Sequence, residues 1–219
     1  MKLFDILESI IPDYNDEIII SPYYMKYLYK NMGSYPGKPF GKNEHINTNT
    51  TEWLEHFLFD KEDEIKIKCP HVNDVGDLTN KCVRDFVKKW LKQRLDYVRG
   101  KLESNLKIIN GKISIYRSIR VNKKVVDGIV KERIRLGNYW TFDANKAESK
   151  WSFSYDKPIT INGLVEPRNV DWITTIRRNM DYMYGDYEDE IYLKTGTPVY
   201  VIDIETPDMT IPVNRTLKV

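Results

Sequence analysis

Three stretches in the second half of this 219-residue chain hold side chains whose type and spacing could do chemistry. In the first, KISIYRSIRV (Lys112–Val121), Arg117 falls on the same side of an alternating strand as Ile113, Ile115 and Ile119. A guanidinium on an apolar face is costly to desolvate unless an anion meets it. A salt bridge to a nearby carboxylate would satisfy it, and so would a bound anion. The second stretch, NYWTFDANKA (Asn138–Ala147), sets one hydroxyl, Thr141, among aromatic rings just before a short helix. A core aromatic cluster ending in a capped turn accounts for that pattern as well as a binding wall does. In the third, YEDEIYLKTGTPVYVIDIE (Tyr187–Glu205), Glu188 and Glu190 lie two apart and point the same way on an extended chain. Two carboxylates on one face repel, which raises at least one pKa unless a cation is near. An acidic strand edge facing water has the same sequence.

The elements that must position these residues can be read from periodicity. Before Asn110-Gly111 the apolar spacing is mostly helical, and after it the spacing alternates. Leu3, Ile6, Leu7 and Ile10 share a face that stops at Pro12. Pro22 is expected to start a second helix, Tyr23 to Met32, closed by Gly33, and Ser34–Asn49 is expected to be loop. Thr51 should cap a short helix carrying Trp53, Leu54, Phe57 and Leu58, and Glu64–Cys69 alternates as a strand does. The longest helix is expected over Thr79–Leu106, with Val83, Phe86, Val87, Trp90, Leu91, Leu95, Val98 and Leu102 as its apolar stripe. Beyond Gly111, strands are expected at Lys112–Val121, Gly137–Phe142, Ile159–Val165, Val170–Ile176, Glu190–Leu193 and Pro198–Ile204. A short helix, Ala144–Trp151, should start at Asp143. Thr206–Val219 reads as a last extended segment or a loose end. The expected class is α+β, a helical segment over residues 1–110 preceding a β-rich core over 111–219.

Composition narrows the function classes. The chain is 41% hydrophobic and 12% aromatic, enough for a core and against disorder. Its 34 basic and 32 acidic residues give a net charge of +2, so bulk charge does not make it a polyanion binder. No apolar run approaches the ~20 residues of a membrane span, so no membrane partner is expected. Asp5 and Glu8 interrupt the apolar N-terminal stretch, which does not read as a secretory signal, and a cytoplasmic location is expected. On that reading Cys69 and Cys82 are reduced thiols.

Taken in order, the three stretches resemble the ADP-ribosyltransferase family, in the group whose motif is arginine, then Ser-Thr-Ser, then Glu-x-Glu. IYRSI supplies the arginine as Arg117. WTFDANKA is similar to the second element with Thr141 as the retained hydroxyl, two of the three hydroxyls being replaced. Glu188-Asp189-Glu190-Ile191, followed by Gly196-Thr197-Pro198-Val199, matches the third. The resemblance covers about residues 111–205. It implies a split β-sheet core and transfer of ADP-ribose from NAD, as co-substrate, to a macromolecular acceptor, most often a protein. It implies roles as well. Glu190 would stabilise the charge that builds on the ribose and hold a ribose hydroxyl, and Arg117 would meet the diphosphate. Thr141 would orient Glu190 or the ribose, and Tyr139, Trp140, Trp151 or Phe153 would wall the nicotinamide. Glu188 would activate the acceptor, a glutamate there going with an arginine side chain, and Tyr184 and Tyr187 would contact the target. Small transferases of this kind resemble phage or bacterial effectors acting inside a cell. An inactive relative with the same fold, binding a partner rather than turning over NAD, is the alternative.

Other signals are weaker. The helix over residues 79–107 carries nine basic residues against three acidic ones. That suits a solvated amphipathic face, and it also suits a nucleic-acid or protein partner docked around Arg94. Cys69, His71 and Cys82 fit no common zinc spacing, so no metal is expected. With its three histidines at 45, 56 and 71, the β-rich half has none for a histidine triad.

Overall fold

The computed structural model describes residues 19–31, 54, 56–77, 80–120, 123–131, 136–149, 158–181 and 189–219. The expected helix at Leu3–Ile10, the loop Ser34–Asn49 and the cap at Thr51 lie outside them. The class is α+β: helices and a seven-stranded antiparallel sheet.

Among the described residues, residues 54 and 56–60 are helical, and the helices with both ends described are α1 (Pro22–Asn31), α2 (Glu62–Lys68), α3 (Lys81–Asn105), α4 (Lys123–Val130), α5 (Ala144–Ser149) and α6 (Trp172–Asp181). The strands are β1 (Ile108–Ile109), β2 (Lys112–Arg120), β3 (Tyr139–Thr141), β4 (Pro158–Val165), β5 (Glu190–Tyr192), β6 (Pro198–Glu205) and β7 (Thr210–Lys218). They order as β5-β3-β2-β4-β6-β7, with β1 paired to β2. Among the described residues, one compact unit holds 101–175 and 189–219, and the other holds 19–100 and 176–181. The helical-to-extended change falls after Asn105, and Asn110-Gly111 is the turn of the β1–β2 hairpin. Both turn residues have positive φ, 52° and 75°, which asparagine and glycine adopt most readily.

The sheet unit is built on β2 and β4, paired over eight positions from Ile113↔Val165 to Arg120↔Pro158. Directly opposed residues share a face. Ile113, Ile115, Ile159, Ile161 and Val165 are buried on one face. Ser114, Tyr116, Thr160 and Asn162 alternate with them onto the other. The final segment is a full strand, β7, paired along β6, rather than a loose end.

In the helical unit, Val83, Val87, Trp90, Leu91, Leu95 and Val98 of α3 are buried as expected. Phe57 stacks on Trp90 at 5.3 Å between ring centroids. Arg94, grouped by sequence with a basic surface, is fully buried. Its guanidinium lies over the Trp90 ring at 4.8 Å and donates to the Met180 carbonyl.

Three expectations are corrected. Glu64–Lys68 belongs to helix α2, not a strand, and Cys69 caps its C-terminal end. Acidic residues fill its first turn and lysines its last, matching the helix dipole, and Lys68 reaches Glu64 at 2.8 Å. Val170–Ile176 is not a strand either, for helix α6 starts at Trp172. Asp171 caps it: one carboxylate oxygen accepts from the Thr174 amide (3.0 Å) and the other from the Thr174 hydroxyl (2.8 Å). Trp172, Thr175, Ile176, Asn179 and Met180 are then buried at helical spacing. Finally, Cys69 and Cys82 are not free thiols but a disulfide, with Cα atoms 6.0 Å apart. It ties the C-terminal end of α2 to the start of α3.

Candidate active site

The three motif strands are neighbours in the sheet, in the order β5, β3, β2. Thr141 lies directly opposite Glu190, and Tyr116 directly opposite Thr141. Glu190, Thr141 and Tyr116 therefore form one row on one face, continued by Asn162 of β4. Tyr139 and Tyr192, opposed one rung along, share that face. Their rings meet edge to face at 4.9 Å, and Tyr139 is 44% exposed beside the largely buried Glu190. The row thus joins a carboxylate, a hydroxyl and an accessible aromatic ring.

Thr141 is held by the turn that follows it. Its Oγ1 accepts from the Asp143 amide at 3.1 Å, and the Asp143 carboxylate accepts from the Asn145 amide at 3.0 Å, capping α5. Helix α5 packs against β2, β3 and β4. The Asn138 side-chain amide donates to the Leu193 carbonyl at 2.7 Å and fastens the start of β3 to the end of β5.

Arg117 is not in the row. As the neighbour of Tyr116 it leaves the opposite face, beside the apolar residues of β2, as its alternation requires. Strands β2 and β3 are paired at a single position, Tyr116↔Thr141. Just beyond it, Arg117 Nη1 donates to the Tyr139 carbonyl at 2.7 Å. The side chain supplies a donor to β3 where the ladder bond is missing. Burial lowers the Arg117 pKa from its ordinary value, yet guanidinium remains a cation at neutral pH. The structure therefore brings Thr141, Glu190 and Tyr139 together and sets Arg117 on the backbone of Tyr139, from the other face.

Of the other residues singled out by sequence, Trp140 is buried, with its indole N–H on the Gly137 carbonyl at 3.0 Å. It belongs to the core face with Ile191. Glu188, Trp151, Phe153, Tyr184 and Tyr187 lie outside the described residues. Two residues near the site were not singled out. Tyr116 takes the row position next to Thr141, which register alone reveals. Asp189 is 2% exposed and paired with Lys101. A buried aspartate demands a cation, but no spacing in the sequence points from Asp189 to Lys101. In the helical unit, Arg177 lies over the Tyr24 ring and donates to the Ile19 carbonyl.

Among the described residues no three His, Cys, Asp or Glu side chains are grouped to hold a metal ion. No helix of the described residues is long and apolar enough to cross a membrane. No protein-family model, curated protein or solved structure matches the chain.

Proposed function

We propose that the chain is a mono-ADP-ribosyltransferase with a split-sheet core, using NAD as co-substrate and a protein as acceptor. The observation that carries this reading is the adjacency of the three motif strands, with Thr141 directly opposite a buried Glu190. Residues 49 positions apart in the chain, in motifs read independently, meet at one register position.

The chemistry follows from the residues. Breaking the bond between nicotinamide and ribose builds positive charge on the sugar, as in glycoside hydrolysis. The carboxylate of Glu190, fixed on β5 with little water around it, stabilises that charge and accepts a hydrogen bond from a ribose hydroxyl. Thr141 keeps Glu190 company across the ladder and orients it. The exposed Tyr139 ring gives the nicotinamide a face to stack on. Arg117 acts from the opposite face, where its hydrogen bond to the Tyr139 carbonyl fixes the backbone that carries the stacking ring. The acceptor nucleophile attacks the anomeric carbon as nicotinamide departs with the bonding pair, and Glu188 takes the acceptor's proton. An arginine side chain is the acceptor that this Glu-x-Glu arrangement favours. Such a small enzyme would suit a phage or bacterial effector.

Calorimetric titration tests the binding half. NAD should bind the native chain, and Arg117→Ala should weaken it by at least about tenfold, through loss of the hydrogen bond that seats Tyr139. Equal NAD affinity in the Arg117→Ala variant removes Arg117 from the site. Absence of any NAD binding to the native chain overturns the reading.

A further inference from the structure

Asp189, the residue between Glu188 and Glu190, is a buried carboxylate that forms an ion pair with Lys101, on the last turns of α3. Lysine 101 belongs to the basic run that sequence alone assigns to a solvated face, yet its side chain is only 26% exposed. Neighbouring residues on an extended chain point to opposite sides, so Lys101 grips the strand start from the side away from Glu190. The grip extends further. The Asp189 carbonyl accepts from the Phe142 amide at 2.9 Å, and Phe142 is itself buried. Asp189 and Phe142 are the chain neighbours of Glu190 and Thr141. The Lys101 ion pair and the Phe142 backbone hydrogen bond thus both hold, from behind, the pair that faces the row.

We infer that Lys101 is the positioning residue for Glu190: its ion pair with Asp189 fixes the start of β5 and so sets where the Glu190 carboxylate stands across the ladder from Thr141. This rests on the reading of Glu190 as the group that stabilises the sugar. A carboxylate that must meet developing charge is sensitive to displacement of about an ångström, whereas substrate affinity, spread over several contacts besides the ribose hydroxyl, is far less so. A buried aspartate also cannot lose its cation without moving or drawing in water, and either would shift β5.

The experiment measures NAD consumption by the full chain. Lys101→Met should lower kcat by at least about tenfold with KM for NAD within about twofold, the signature of an interaction realised in the transition state. Lys101→Arg, which keeps charge and reach, should return kcat to within about threefold of the native value. In a Glu190→Gln background Lys101→Met should add no further loss, because both act through one carboxylate. An unchanged kcat in Lys101→Met, a rise in KM alone, or a loss that multiplies with that of Glu190→Gln overturns the inference. Should Lys101→Met fail to fold, the double variant Lys101→Met/Asp189→Asn strands no buried charge and serves instead. Its kcat should still fall by at least about fivefold, and a native kcat there is equally fatal. If the native chain consumes no NAD, the transferase reading fails, and amide hydrogen exchange then tests the ion pair by itself. Exchange at Phe142 and Glu190–Tyr192 should be at least about tenfold faster in the double variant than in the native chain, with β6 and β7 unaffected. Equal exchange in the two proteins rejects Lys101 as the anchor of β5.

Discussion

Gly137 shows how closely a single residue constrains the site. Its φ is 72°, and a Cβ there would lie 3.2 Å from both terminal nitrogens of Arg117. Gly137→Ala therefore strains the backbone and crowds the guanidinium bonded to the Tyr139 carbonyl. We expect a loss of about 1–2 kcal/mol in urea unfolding, together with weaker NAD binding. Unfolding and NAD affinity both at native values would show that the guanidinium needs no such seat. The cost of burying Arg117 among isoleucines was legible in the sequence, because alternation alone fixes its face. Its partner was not: a main-chain carbonyl 22 residues away leaves no mark on residue type. The same holds for Lys101, whose neighbours in the helix resemble an ordinary solvated run.

At the scale of elements, alternation identified the sheet and end chemistry decided the errors. The strands β2, β4, β5 and β6 stand within a residue or so of where spacing predicts them, because each has one apolar face. Segment Val170–Ile176 is rich in β-branched residues, which favour a strand locally. The Asp171 cap and the burial of Trp172, Thr175, Ile176, Asn179 and Met180 outweigh that preference. Asp171→Ala should then cost about 1 kcal/mol in thermal or urea unfolding; no change would mean that packing alone sets the start of α6. Helix α2 makes a prediction of opposite character. Lys68 first, then Lys61, hold the Glu64 carboxyl below its usual pKa. With its folded pKa depressed, the stabilisation that Glu64 gives is present above the unfolded value and lost as pH falls through the folded one. Acidifying below about pH 4 should weaken α2 in the native chain more than in Glu64→Gln. Parallel acid titrations of the two proteins would refute this. The three adjacent motif strands, the feature on which the function depends, are a matter of topology, and residue order along the chain does not encode which strands pair.

The molecule as a whole divides into a helical unit, whose described residues are 19–100 and 176–181, and a sheet unit that carries the row. The helical unit contains the Cys69–Cys82 disulfide, whose sequence separation is 13. Closing a loop of that size stabilises by about 3 kcal/mol through the unfolded chain. Reductant, or Cys82→Ser, should lower the thermal midpoint of the helical unit, and a midpoint indifferent to reductant would mean that the cross-link adds no stability. The sheet unit holds no cysteine, so the row of Glu190, Thr141 and Tyr139 contains no thiol that reductant could alter. What the row does is decided most directly by incubating the native chain and Glu190→Gln with NAD labelled in its adenylate half and a cell lysate, then reading the label on lysate proteins. The account predicts transfer by the native chain, reduced by roughly 10²–10³-fold in Glu190→Gln. Transfer at the native rate by the variant would contradict it.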